Sequence, residues 1–332
     1  MKRVLFNIIL FSIAFLYIGN TKAGNCNILL GFDNINAHGG NIIKYENFYY
    51  LFGENRNNKG VVKNINVYKT SDFCSWTFSG NAFYSNNNHN IGASGIIERP
   101  KVIYSVSKKR FYMYFHHELP NTGYNSALIG VASSQNIVGP YKYIRSFRIN
   151  PGVLPRHTKN INELKYSDFF KRDFHKGQMS RDLTVYQEGG DVFLISSSED
   201  NSTLIVSQLD STLANLNGNY NRISPHGYNE APILFKEGNT YFLITSGVSG
   251  WKPNKAKLYK SKNLLDDWVY VGTPIRSSKS NINTTFGGQG AFIFKYNMDD
   301  YIFLDSWDSE NLSKSNILIK KVYWENGNPY LK

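Results

Sequence analysis

A polar residue followed by a short apolar run recurs five times along the chain: His38-Gly-Gly-Asn-Ile-Ile, Glu98-Arg-Pro-Lys-Val-Ile, Asp182-Leu-Thr-Val-Tyr, Glu230-Ala-Pro-Ile-Leu-Phe and Gln289-Gly-Ala-Phe-Ile-Phe. Each run is short and rich in β-branched and aromatic residues, so each predicts the opening of a strand. After a polar turn comes a second, more aromatic run: Tyr49-Tyr50-Leu51-Phe52, Phe111-Tyr112-Met113-Tyr114-Phe115, Val192-Phe193-Leu194-Ile195, Tyr241-Phe242-Leu243-Ile244 and Tyr301-Ile302-Phe303-Leu304. The turns between them have the length and the Gly, Asn and Asp content of hairpins. Four of the units add a third run, as in Asn66 to Thr70, Ala127 to Ala132, Thr203 to Ser207 and Ala256 to Lys260. The units start roughly 60 residues apart, near the blade-scale period of propellers and arrays. The pattern predicts an all-β chain closed into a ring, a five-bladed β-propeller.

In such a ring the innermost strands line a central channel, so residues at one equivalent position in each blade converge. Here that position holds Glu98, Asp182 and Glu230, with His38 and Gln289 completing the set. Crowded carboxylates raise one another's pKa, which keeps a carboxylic acid protonated near neutral pH. Glycoside hydrolysis needs such an acid to protonate the departing oxygen, and a second group on the opposite face of the sugar to position or deprotonate water. A ring around a channel leaves room for that water, which favours inversion. The bland alternative is ordinary channel-lining polarity satisfied by waters. Among the aromatic residues, Trp251 and Trp307 follow second strands and are placed at the rim, where a pyranose could stack. Trp76 and Trp268 follow third strands and read as core anchors.

The ends and the composition add less. Met1 to Ala23 has a basic start at Lys2 and Arg3, an apolar run from Val4 to Ile18 and a small-residue end, the pattern of a secretory signal peptide. The run is shorter than the about 20 residues that span a bilayer. The reading is therefore residues 1–23 as signal peptide and 24–332 as one catalytic-size domain, acting as a monomer in the secreted or periplasmic space with no membrane attachment after cleavage. Taking Lys2, Arg3 and Lys22 from the net charge of +12 leaves +9. The cations are scattered without a long run, so nucleic acid is not expected as a partner. Lys142 to Lys176, where both signs interleave, reads as a solvated connector. Cys26 and Cys74 could pair in an oxidising compartment or stay as separate thiols, and two sulfurs without paired histidines do not make a zinc site. Asn201, Asn283 and Asn311 open Asn-X-Ser/Thr sequons.

Taken in order, His38-Gly-Gly, Glu54 after Tyr-Leu-Phe-Gly, Glu98-Arg-Pro-Lys-Val, Gly139-Pro-Tyr, Ser180-Arg-Asp182, Ser197-Ser-Glu199-Asp-Asn201, Glu230-Ala-Pro, Ser246-Gly-Val-Ser-Gly-Trp251 and Gln289 resemble glycoside hydrolase family 43, and within it the exo-β-1,3-galactanase branch. The resemblance runs from about His38 to Trp307. It implies a five-bladed propeller and an inverting exo-hydrolase with an oligo- or polysaccharide partner, β-1,3-galactan, and no cofactor. By the same resemblance Glu230 is the general acid, Asp182 the residue that raises and orients it, and Glu98 and Gln289 the pair that holds the attacking water. His38, Glu54, Tyr124, Glu199, Asn201, Trp251 and Trp307 are expected at the sugar. Most of family 43 has an aspartate base in the first blade, where this chain has Asn36-Ala-His38-Gly; the galactanase branch shares the departure. The base stays open between Glu98, Gln289 and His38, since an amide is a poor proton acceptor and a neutral imidazole a fair one. Alternatives are a family 43 arabinofuranosidase or xylosidase, or a glycan-binding propeller without turnover.

Overall fold

The chain is described by a computed structural model covering residues 35–84 and 95–332 together with Phe32 and Ile91. The signal segment and the Cys26–Cys74 pairing lie outside the described residues. The fold is a five-bladed β-propeller. Blade one is β1 (His38–Tyr45), β2 (Phe48–Arg56), β3 (Val62–Thr70) and β4 (Thr77–Tyr84); blade two is β5 (Ile96–Ser105), β6 (Arg110–Glu118), β7 (Leu128–Ser134) and β8 (Lys142–Phe147). Blade three is β9 (Leu183–Glu188), β10 (Asp191–Ser198), β11 (Thr203–Leu209) and β12 (Leu216–Ile223), and blade four is β13 (Glu230–Glu237), β14 (Thr240–Ser246), β15 (Lys257–Ser261) and β16 (Val269–Gly272). Blade five has three strands, β17 (Gln289–Tyr296), β18 (Asp299–Ser306) and β19 (Asn316–Lys321), followed by the small ribbon β20 (Tyr323–Glu325) and β21 (Asn328–Tyr330). Within each blade the strands pair antiparallel in chain order, each joined to the next by a turn or loop of ten residues or fewer.

The inner strands touch in the order β1, β5, β9, β13, β17 and back to β1, which closes the ring. Burial on both faces explains why the second strands are apolar throughout rather than alternating. In β6, Phe111, Met113 and Phe115 fill the seam with blade one, while Tyr112 and Tyr114 fill the seam with blade three. Each of the five seams has its own apolar cluster, and Leu331 from the chain's last residues enters the one between blades four and five. Asn41 ties the first two inner strands, its amide both donating to and accepting from the Val102 backbone at 2.9 Å. Trp76 and Trp268 pack against core clusters, as their positions after third strands suggested.

Two features depart from the sequence reading. Blades one to four each carry a fourth, outer strand that the hydrophobic pattern did not announce; β8 and β16, for example, are largely exposed. The segment from Lys142 is not a plain solvated connector either. It begins as β8, continues through the short helix α1 (Asp168–Asp173), and buries Ile149 and Phe170 against blades two and three.

In four of the five inner strands the polar residue sits at or just before a β-bulge, whereas Asp182 stands immediately before the regular strand β9. The register slips by one residue between His38 and Asn41, Glu98 and Lys101, and Glu230 and Ile233, with a similar slip after Gly290. The residue after the polar one has a left-handed backbone at Gly39, Arg99 and Ala231, with φ of 63°, 53° and 51°. A bulge of this kind turns the strand and re-aims the side chain before it. Arg99 and Ala231 hold a conformation that costs energy for any residue with a Cβ, so the surrounding structure must impose it.

Candidate active site

At the end of the channel where the inner strands begin, a cavity of about 330 Å³ is lined by Glu98, Asp182, Glu230 and Gln289, with Arg56, Arg99, Arg181, His116, Tyr124, Asn201, Val248, Gly250 and Trp251. A larger hollow of about 470 Å³ opens at the other end, among Ile43, Tyr104, Phe235 and Phe294. It contains none of the five convergent residues, four of which line the smaller one.

Glu230 opens β13 and is mostly enclosed. Burial above all, then the negative charge of Asp182, push its carboxyl up to about 8 against the pull of Arg99 and Arg181. It is therefore protonated at neutral pH. The Asn201 amide donates to its Oε1 at 2.7 Å and fixes its direction. Asp182 is held by the Ala231 N–H at 3.1 Å and by Arg99 at 3.1 Å. The backbone just before the acid is pinned as well: Asn229 N–H donates to Asn201 O at 3.0 Å, and Ser197 Oγ donates to Asn229 O at 2.9 Å.

Glu98 is the electrostatic opposite. Burial would raise its carboxyl, but the charge of Arg56 and the hydrogen bond and charge of His116 outweigh burial and hold it far below the usual carboxylate range. Arg56 donates to Oε1 at 2.8 Å and Tyr124 Oη to the same oxygen at 3.0 Å, while His116 Nδ1 lies 3.5 Å from Oε2. Behind it, His116 Nε2 meets Glu118 Oε1 at 2.7 Å, and Glu118 also accepts the backbone N–H groups of Ser126 and Ala127. Burial alone would lower the imidazole, yet the bonds to Glu118 and Glu98 lift it to about 9, so it is a cation between two carboxylates. Crowding thus raises one acid and not the other, because Arg56 and the His116 imidazolium act on Glu98 through both charge and hydrogen bonds, whereas Arg99 and Arg181 act on Glu230 through charge alone. Gln289 is fully oriented: Oε1 accepts from Arg99 and, at 2.9 Å, from Trp307 Nε1, and Nε2 donates to Ser246 Oγ at 3.0 Å. With both lone pairs of the amide oxygen engaged, its remaining function toward a ligand is the second N–H.

Of the residues expected at the sugar, Tyr124, Asn201 and Trp251 line the cavity. Trp307 stands against Trp251, ring centroids 4.9 Å apart, with the Arg56 guanidinium over both rings. Glu54, Glu199 and His38 are elsewhere than expected: all three are fully enclosed. Glu54 accepts from Arg56 Nε and from the Arg99 N–H, both at 2.6 Å. Glu199 takes a two-pronged bond from Arg222, and His38 Nδ1 meets Asp305 at 3.1 Å. Glu54 thereby fixes the cavity-lining Arg56 and Arg99, whereas Glu199 fixes Arg222, which does not line the cavity. The Asn201 sequon is likewise buried at the acid rather than displayed for a glycan. Arg56, Arg99, Arg181 and His116 were missed. The adjacent His116-His117-Glu118, three titratable residues ending an apolar strand, was the available signal. Among the described residues no cluster of three or more His, Cys, Asp or Glu is placed to hold a metal ion.

A mostly buried carboxylic acid, a carboxylate locked as an anion and an oriented amide line one small polar cavity. No family model matches the chain, and no curated protein does. Solved structures do. A β-1,3-galactosidase of glycoside hydrolase family 43, BT3683, solved with galactodeoxynojirimycin, is 37% identical over 90% of this chain and 94% of its own, with a TM-score of 0.85. The exo-β-1,3-galactanases of Phanerochaete chrysosporium, solved with β-1,3-galactotriose, and of Clostridium thermocellum are 26% and 27% identical, each with a TM-score of 0.76. This chain spans 63% and 61% of their lengths.

Proposed function

This chain belongs to glycoside hydrolase family 43, and from that premise we propose that it is an exo-acting, inverting hydrolase that releases galactose from β-1,3-linked galactan. The observation that carries the reading is the split between its carboxyl groups: Glu230 pushed up to about 8 and Glu98 held strongly ionised in one cavity. Glu230 donates its proton to the departing glycosidic oxygen. Asp182 raises the acid through its charge and, through the Ala231 N–H, holds the bulge that aims it. On the other face, Glu98 Oε2 and the free N–H of Gln289 hold the attacking water, Glu98 as acceptor and Gln289 as donor. A carboxylate whose pKa is so depressed is a weak base, so its proton-accepting step comes late, when the water is already bonding to an oxocarbenium-like carbon. Tyr124, Asn201 and Trp251 bound the terminal galactose, and a cavity of about 330 Å³, the size of a single sugar's surroundings, supports exo action. The basic-then-apolar start of the chain supports export.

The test is Glu230→Gln with β-1,3-galactobiose and β-1,3-galactan, following the released sugar by proton NMR. The expected outcome is α-galactose before mutarotation in the wild type and a loss of about 10²- to 10⁴-fold in turnover in the variant, with binding kept. β-Galactose as first product would overturn inversion, and near-wild-type turnover would remove Glu230 from its role.

A further inference from the structure

We propose that Tyr166, His226 and Tyr228 form an aromatic track that holds the leaving-group side of the β-linked galactan chain, beyond the galactose being cleaved. This rests on the hydrolase reading above and extends its site. The acid protonates the oxygen between the terminal sugar and the next, so the rest of the chain must leave past Glu230. Tyr228 lies two residues before it, on the loop that joins β12 to β13.

The three rings form one exposed row. Tyr166 and Tyr228 are 64% and 43% exposed. Tyr166 and His226 have centroids 4.9 Å apart at 30°, and His226 and Tyr228 5.0 Å apart at 46°. Rings left in water at a surface gain nothing from burial, yet this row is firmly built. All three residues have a left-handed backbone, φ 49°, 65° and 50°, which is unusual for bulky side chains and persists only when neighbours impose it. Arg222, clamped by Glu199, donates to the carbonyls of Lys165 and Tyr166 at 3.0 and 2.8 Å. Tyr228 N–H donates to Ser202 O at 3.2 Å, and Lys257 Nζ donates to the Gly227 and Tyr228 carbonyls at 2.6 and 2.8 Å. The enclosed pair Glu199–Arg222 therefore acts at one remove from the sugar: it holds the platform. A galactopyranose suits it, because the axial O4 leaves one face of the ring with only C–H groups, which pack on aromatic faces.

The experiment compares kcat/KM for β-1,3-galactotetraose and β-1,3-galactobiose in the full chain, in Tyr166→Ala and Tyr228→Ala, and in the matching Phe variants. The ratio of tetraose to biose is expected to fall about fivefold in each Ala variant, the size of one aromatic stacking contact, and to stay at the wild-type value in the Phe variants. An unchanged ratio in the Ala variants would overturn the track while leaving the hydrolase reading intact. A wild type that cleaves neither substrate would overturn both.

Discussion

Glu230 and Glu98 open equivalent strands with the same side chain and end in opposite charge states, and the difference lies in which cation stands within reach. Arg99 and Arg181 only temper the effect of burial and of Asp182 on Glu230, whereas Arg56 and His116 overwhelm it at Glu98. In the proposed role Glu230 works while protonated, so activity should fall as pH rises through about 8. Replacing Asp182 by Asn removes the anion that raises it. The alkaline limb of the kcat/KM profile should then move to lower pH by about one unit, and a limb that stays in place would give Asp182 a structural part only. His116 makes the complementary prediction. Its imidazolium, faced by Glu98 and Glu118 and flanked by Tyr124 and His117, helps keep Glu98 ionised. In His116→Gln the acidic limb should rise by about one unit or more. A merely structural role would lower stability and leave that limb where it was.

At the scale of the element, the bulge that opens an inner strand decides where chemistry can be mounted. Period-2 alternation would send the first side chain to a seam; the extra residue turns it to the channel instead. Gly39 shows the tolerance of this device. Its φ is 63° and an added Cβ would lie 2.5 Å from Glu54 Oε1. Gly39→Ala should cost about 1–2 kcal/mol from the backbone alone, read as a lower midpoint in chemical denaturation. It should also reduce turnover, since the displaced Glu54 carboxylate holds both Arg56 and the Arg99 N–H. A variant with wild-type stability and turnover would refute the role given to the bulge. The outer strands carry no such burden, and their exposed residues are free to be polar.

The whole ring produces an environment that no blade has alone. Lys101, on β5, is fully enclosed in the channel, where its ammonium donates to the Gly39 carbonyl. Burial and then Arg99 push it down to about 7 from 10.5. Between these values the unfolded chain binds the proton that the folded one has lost, so this group makes stability rise with pH from about 7 to 10.5, and its cost is full below 7. Lys101→Met removes that dependence. The melting temperature of the variant relative to wild type should be most favourable near pH 6 and decline toward pH 10; a constant difference would mean that the lysine titrates normally. The strands and their order, the five-fold repeat and the five convergent polar residues were legible in the sequence, because period and polarity are local properties that a strand repeats every second residue. The outer strands escaped because, largely exposed, they bury too few side chains to need a hydrophobic signature. Arg56, Arg99, Arg181 and His116 escaped because an arginine or histidine within a strand looks alike whether it faces solvent or a carboxylate. Glu54 and Glu199 were read as sugar contacts for the same reason, and only their partners, Arg56 and the Arg99 N–H for one and Arg222 for the other, put them behind the site. Sequence by itself determined which strand-opening residues come to the centre of this protein; tertiary structure decided which cations join them and which of them are acid, anion or support, because charge state depends on neighbours that the chain brings together from distant blades.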